Sequence, residues 1–418
     1  FKYRLVVELK YFLKLIDYLP ELNKLKENKI EYKFNFLYYV NNFDDNEYNI
    51  IKSYEKTTNH DVKALEYYIQ DIFEKEDLKE YIPFIHFGLT SQDINSSANI
   101  MMFKESINTI LINSLHNIIN IINSHYRDMK DISMLSFTHG QCAVPTTMGK
   151  ELYVYKYRLE KQINILQNME YSTKFGGAVG NFNAHKLAYP NIDWNDFSDN
   201  FIEKDLLLKR EKYTTQISNY DNLCNTLNMI KTINCIINDL NIDCWLYISK
   251  GYLNQKINST ETGSSTMPHK VNPINFENSE GNICIANALI EGITRKLSIS
   301  RLQRDLTDST ILRNLGTVLG YSLLSYKSTL KGLNKISLNK KIIKNDLTNN
   351  VSILAEGIQT VMRKHKISNS YEKLKELTRI NDNVNENNIN EFIKSLDENI
   401  QKELLLLNVE NYIGYSKK

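Results

Sequence analysis

No stretch of this chain stays apolar long enough to span a bilayer, so a membrane partner is not expected. Cysteine is sparse and badly placed for a framework. The five, Cys142, Cys224, Cys235, Cys244 and Cys284, are odd in number, and no pair has C-x-x-C spacing. That argues against a disulfide or metal scaffold and for a reducing compartment, with the cytoplasm as the expected location. An excess of one charge is also lacking. The 51 Lys and Arg stand against 49 Asp and Glu, a net +2, which gives no case for nucleic acid or a membrane surface as partner. A locally basic pocket for an anion stays open. Glycine (15), proline (6) and tryptophan (2) are scarce beside heavily used Asn, Ile, Lys and Tyr. This reads as a compositional bias laid over the fold, so the Asn-rich run 381–390 carries no functional weight. The start, Phe1-Lys2-Tyr3-Arg4-Leu5, has neither an initiator Met nor the apolar core of a signal peptide. The expectation is a chain that begins inside a longer protein.

What is present is helical periodicity. The 418 residues are 42% hydrophobic and 24% charged, ordinary for a globular chain able to bury a large core. Leu227, Ile230, Ile233, Ile237, Leu240, Cys244 and Tyr247 form a near-heptad stripe. Ile107, Ile110, Leu111, Leu115, Ile118 and Ile122 make a second; Leu152, Tyr155, Leu159, Ile163 and Leu166 make a third. Residues 311–333 read as a further long helix, with Gly316 and Gly320 allowing close packing. No proline falls inside these stripes, as the helical reading requires. The pattern predicts an all-α chain: a helical domain over 1–80, a long central helical bundle over 81–333 and a smaller helical domain over 334–418. Seams this long also bury against partner chains, so an oligomer is expected. Irregular stretches are expected at 57–61, 90–95, 136–147 and 263–282, and chemistry belongs there.

The strongest local pattern is Gly263-Ser264-Ser265-Thr266-Met267-Pro268-His269-Lys270-Val271-Asn272-Pro273. Its Gly, Ser and Pro content cannot make a regular helix, and a polar linker would be the bland alternative. The run resembles the signature loop of the aspartase/fumarase superfamily, whose members release fumarate by anti elimination. Such chemistry removes a proton beside a carboxylate and must stabilise a doubly charged aci-carbanion. The resemblance makes Ser264 the base, with Lys270 and Asn272 suited to its alkoxide and to the substrate carboxylates, and Ser265 beside them in the substrate site. Thr138-His139-Gly140-Gln141 resembles a second block, in which His139 is the general acid. A lone His is more often structural, and only the surrounding run moves the reading. Thr90-Ser91-Gln92-Asp93 reads by itself as a helix N-cap. The resemblance adds that Thr90 and Ser91 donate to the fumarate portion; both hold together, since a helix N-terminus favours a carboxylate.

Finer marks resemble the adenylosuccinate lyase family, and within it the bacterial-type branch. Thr57-Thr58-Asn59-His60-Asp61 matches a block in which His60 assists His139 or orients the substrate, with Asn59 and Asp61 beside it. Tyr213-Thr214-Thr215-Gln216 brings Gln216 as a substrate contact, and Glu277-Asn278-Ser279-Glu280 brings Asn278. The run 300–314 holds Arg304, Ser309, Thr310 and Arg313, a grouping suited to a phosphate. Surface salt bridging is the ordinary reading of such a segment. The resemblance implies fumarate elimination from adenylosuccinate, giving AMP, and from the succinyl-aminoimidazole-carboxamide ribotide. It also implies a homotetramer with active sites shared between subunits, and no metal or organic cofactor. The resemblance further implies an Arg-Tyr phosphate grip near the family's N-terminus, expected ahead of Phe1. Cys142-Ala143-Val144 replaces a more proline-rich wording. Another fumarate-releasing lyase, such as argininosuccinate lyase, or an inactive structural homologue are the competing readings.

Overall fold

The computed structural model describes residues 1–256, 267, 270–379 and 384–416. The chain runs through α1 (Lys2–Tyr18), α2 (Lys29–Asn41), α3 (Asp45–Thr58), α4 (Asp61–Lys75), α5 (Ser91–Ser106) and α6 (Ile112–Met129). A hairpin of β1 (Ser133–Thr138) and β2 (Gln141–Thr147) leads into α7 (Met148–Gln167). Then come β3 (Ser172–Lys174), α8 (Asn183–Ala188), α9 (Trp194–Asn200), β4 (Lys209–Glu211) and α10 (Asp221–Ser249). After β5 (Leu253–Gln255) follow α11 (Ile274–Leu297), α12 (Thr307–Leu312), α13 (Leu315–Lys335) and β6 (Ile336–Leu338). Helices α14 (Lys340–Thr348), α15 (Ala355–Lys364), α16 (Ser370–Arg379), α17 (Glu386–Lys394) and α18 (Glu398–Leu404) close the described chain. The fold is helical, as the periodicity predicts, and its strands form small two-stranded pairs.

Five sequence expectations are corrected. Residues 91–95 and 274–282, expected to be irregular, form the first turns of α5 and α11. Ile110 is 50% exposed although it belongs to the second stripe. A single π turn at Ile107–Leu111 inserts extra rotation and carries it off the buried face. Residues 311–333 are not one helix. The Asn314 amide closes a turn onto the Ile311 carbonyl, and the Asn314 carbonyl accepts from Val318 at the start of α13. The stretch 136–147 is not irregular but lies in the β1–β2 hairpin. Its register slips once, since Leu135 faces Pro145 while Ser136 faces Ala143. Val144 is therefore a bulge residue, and the neighbouring proline breaks no ladder.

The chain divides into two compact units, each discontinuous in sequence. The first comprises Phe1–Ile112, Asn164–Lys231 and Ile285–Gly320. Its core is aromatic: Tyr11 meets Phe175, Phe197 and Phe201 edge-on, with centroids 5.7, 5.9 and 5.7 Å apart. Each such pair adds about 1 kcal/mol beyond the area it buries. The second comprises Asn113–Ile163, Thr232–Cys284 and Tyr321–Lys418. Within it, α10, α11 and α13 share a buried polar knot. Asn241 donates to Ser279 at 2.8 Å, Thr329 donates back to Asn241 at 2.9 Å, and Ser279 lies 2.6 Å from Ser325 and 2.8 Å from Thr329. Every buried polar atom here needs its partner, so the knot fixes helix register. Leu347, Leu354, Ile358, Met362, Ile389 and Ile400 form a separate apolar cluster with Leu135. Among the described residues, no helix is long and apolar enough to cross a membrane.

Candidate active site

In the first unit, the Thr57–Asp61 block lies where α3 hands over to α4. Asn59 takes a left-handed conformation (φ 49°), which Asn tolerates, and ends α3. His60 is the N-cap of α4: its Nδ1 accepts from the Lys63 amide at 3.1 Å. A nitrogen that accepts carries no proton, so the neutral ring bears its proton on Nε2. That atom faces the Ser91 hydroxyl at 3.4 Å. Asp61 Oδ1 accepts from the Val62 amide and Oδ2 pairs with Arg4 at 2.9 Å. Thr90 is the N-cap of α5, closed by a capping box in which Asp93 accepts from the Thr90 amide at 2.9 Å. The cap reading of Thr90 holds, and it leaves the Ser91 hydroxyl facing His60. The positive end of α5 opens beside His60.

The same unit gathers the expected phosphate residues only in part. Arg304 donates to the Gln216 side-chain carbonyl at 2.9 Å and to the Ser309 hydroxyl at 3.2 Å. Gln216 in turn donates to the Ala178 carbonyl at 3.0 Å. Gln92, buried on α5, reaches Ser309 at 3.5 Å, which links this cluster to the Thr90 cap. Asp308, also buried, accepts from Tyr220 at 2.8 Å and pushes the Tyr220 phenol upward together with burial, which is the larger cause. A cleft of about 430 Å³ is lined by Gln216, Leu302, Gln303, Arg304, Asp305 and Leu306. A larger depression of about 550 Å³, beside Cys224 and Arg295, holds none of the expected site residues. Thr310 is exposed on α12, and Arg313 is exposed at its C-cap.

The second unit holds the remaining blocks. His139 and Gly140 are the two turn residues of the β1–β2 hairpin, with φ of 53° and 74°. Both are left-handed, the conformation that matches strand twist in a two-residue turn. His139 is exposed there. Lys270 is exposed and Asn272 half-buried just ahead of α11. Gln255 on β5 donates to the Val271 carbonyl at 2.9 Å, tying one flank of the signature run to the other. Asn278 lies on α11, where its side-chain amide oxygen accepts from Ser328 at 3.1 Å. It is one residue from Ser279 and the buried knot. Ser264, Ser265 and His269 lie outside the described residues.

The family model described as Lyase matches residues 19–286, and the one described as Adenylosuccinate lyase C-terminal matches 300–413. The chain is 47% identical over 424 residues to adenylosuccinate lyase of Dictyostelium discoideum, covering 99% of this chain and 91% of the relative. The chain belongs to the adenylosuccinate lyase family. It is an enzyme, a lyase, as the signature run predicts. Adenylosuccinate lyase of Legionella pneumophila is 46% identical over 417 residues, covering 99% and 90% of the two chains. A solved fumarate lyase from Mesorhizobium superposes with a TM-score of 0.75 at 14% identity, over 99% of this chain and 92% of that one. This likeness bears on the fold.

Within an adenylosuccinate lyase, two residues beneath the Thr90 cap stand out that sequence reasoning passed over. Lys174 and Asp93 are both fully buried, 2.7 Å apart. Burial lowers the Lys174 pKa, Asp93 opposes this, and the Arg304 charge lowers it further. The available signal was Gly176-Gly177-Ala178-Val179-Gly180, which puts three of the chain's 15 glycines into five residues. Gly177 takes φ 76°, and a Cβ there would sit 3.3 Å from the Gly88 carbonyl oxygen. The unit thus offers a helix N-terminus with two hydroxyls, a histidine Nε2 and a guanidinium fork. These suit carboxylate and phosphate groups.

Proposed function

We propose that this lyase eliminates fumarate from adenylosuccinate, leaving AMP, and from the succinyl-aminoimidazole-carboxamide ribotide. The single observation that carries the reading is the linked set Thr90, Ser91, His60, Gln216, Arg304 and Ser309 in one unit, found in a chain of this family. Ser264 takes the proton beside the succinyl carboxylate. Lys270, Asn272 and Ser265 stabilise its alkoxide and the carboxylates. Thr90 and Ser91 receive the fumarate portion at the α5 N-terminus. His139 protonates the departing nitrogen, and His60, with its proton on Nε2, assists it; Asn59 and Asp61 hold that corner. Arg304, Ser309, Thr310 and Arg313 take the phosphate, while Gln216 and Asn278 contact the nucleotide.

The working enzyme in this proposal is a cytoplasmic homotetramer whose active sites draw blocks from three subunits. Support comes from apolar residues left exposed on long helices of the second unit: Val154, Tyr157, Ile242, Trp245, Leu246 and Leu324. The proposal keeps three domains, 1–80, 81–333 and 334–418, and the apolar cluster around Ile358 supports the last of them. The test is incubation of the purified protein with adenylosuccinate, following the ultraviolet change as AMP forms. Turnover is expected. Turnover of argininosuccinate with none of adenylosuccinate overturns the reading.

A further inference from the structure

A buried ion pair is a poor way to gain stability. Both ions lose water, and an apolar pair of similar volume commonly serves as well. Asp93 and Lys174 nonetheless sit at zero exposure below the α5 cap. Their bonds suggest a reason. Asp93 Oδ1 accepts from Lys174 at 2.7 Å and from the Gly176 amide at 2.8 Å. Oδ2 accepts from the Thr90 amide at 2.9 Å and the Gly177 amide at 3.1 Å. Lys174 also donates to the Gly177 carbonyl at 2.5 Å. One carboxylate therefore clamps two chain segments: the start of α5 and the glycine turn.

Each clamped segment continues into the site. One residue beyond Gly177, the Ala178 carbonyl accepts from Gln216, which orients Arg304. Arg304 holds Ser309, and Gln92 reaches Ser309 from the α5 side, one residue before Asp93. The circuit closes on itself. A carboxylate below a helix start meant for an anion would repel that anion if it were uncompensated, and the Lys174 ammonium removes that repulsion.

We propose that Asp93 and Lys174 are positioning residues for the lyase reaction, locking the Thr90–Ser91 hydroxyls and the Gln216–Arg304 pair into one register for the substrate's two anionic ends. The inference rests on the function proposed above. The full-length protein is compared with Lys174→Met, Asp93→Asn and the double variant, measuring KM and kcat for adenylosuccinate beside thermal midpoints. Each single change leaves one buried charge unpaired. Both should lower the midpoint and raise KM ten-fold or more. The double variant removes both charges, so its midpoint should recover toward that of the unaltered protein while KM stays at least ten-fold raised, because the NH2 introduced at position 93 cannot accept and the backbone amides held by that oxygen are released.

A purely structural pair would restore KM together with the midpoint, and that result overturns the proposal. If the singles do not fold, the double variant decides alone on its KM. If it too fails, Lys174→Gln, which keeps a donor for the Gly177 carbonyl, decides on the same ten-fold criterion. An unaltered protein that leaves adenylosuccinate intact overturns the function and the inference together. Turnover by the unaltered protein with unchanged KM in a folded variant overturns the inference alone.

Discussion

Arg304 is held to Gln216 by a 2.9 Å bond from its guanidinium to an amide whose other end is already committed to the Ala178 carbonyl. The amide cannot flip without losing both bonds, so the guanidinium has one preferred pose. Hydrogen bonds to charged groups are worth about 1.5–3 kcal/mol, a factor of roughly 10 to 150 in binding. Arg304→Met should raise KM for adenylosuccinate by that range with a thermal midpoint near the unaltered value. Arg304→Lys restores charge but not the fork, and should leave KM elevated. A KM within three-fold of normal in Arg304→Met removes Arg304 from the substrate site.

His139 can be tested without disturbing its hairpin. Asn tolerates left-handed backbone, so His139→Asn keeps the turn at φ 53° while deleting the imidazole. Loss of a general acid costs about 10²- to 10⁴-fold in kcat. The variant should keep its circular-dichroism spectrum and fall in rate by that amount. Rates near normal would assign the proton to another group.

What was legible in the sequence follows from range. The stripe from Leu227 to Cys244 depends on neighbours three and four residues away, and all six of its members in that span are buried. The Thr90 cap and the His60 block are equally local. Lys174 had only the neighbouring glycine run as a signal, and its pairing was not legible because Asp93 lies 81 positions away. The β1–β2 hairpin escaped because its turn is His-Gly rather than Asn-Gly. The π turn at Ile107–Leu111 leaves no mark in an apolar pattern that tolerates one displaced member.

The polar knot under Asn278 sets a stability prediction. Ser279→Ala removes the hydroxyl that Asn241 donates to and that lies against Ser325 and Thr329, all buried. An unsatisfied buried polar group costs about 1–3 kcal/mol. Denaturant unfolding should show a loss in that range with an unchanged slope. Glu280→Ala, on the exposed side of α11, should cost well under 1 kcal/mol. Equal losses in the two variants would mean the knot does not set the helix register.

His185 gives the acid limb of stability a specific origin. It is fully buried, packed 4.7 Å from Trp194, and its Nδ1 has no partner among the described residues. Tyr11 spends its proton on the Phe87 carbonyl at 2.7 Å, so His185 Nε2, 3.1 Å away, donates to the phenol oxygen. Burial is the largest cause lowering its pKa, to about 4; Asp93 opposes and Lys174 adds to the lowering. Because the folded value lies below the unfolded 6.5, the unfolded chain takes up a proton first as pH falls. The stability linked to His185 is complete above pH 6.5 and drains away toward pH 4, by up to about 3 kcal/mol. His185→Leu abolishes this slope, and Tyr11 keeps its bond to Phe87. Urea unfolding of both proteins from pH 7 to 4.5 should show the gap between them shrinking on acidification. A gap constant with pH would show that His185 binds its proton as readily folded as unfolded.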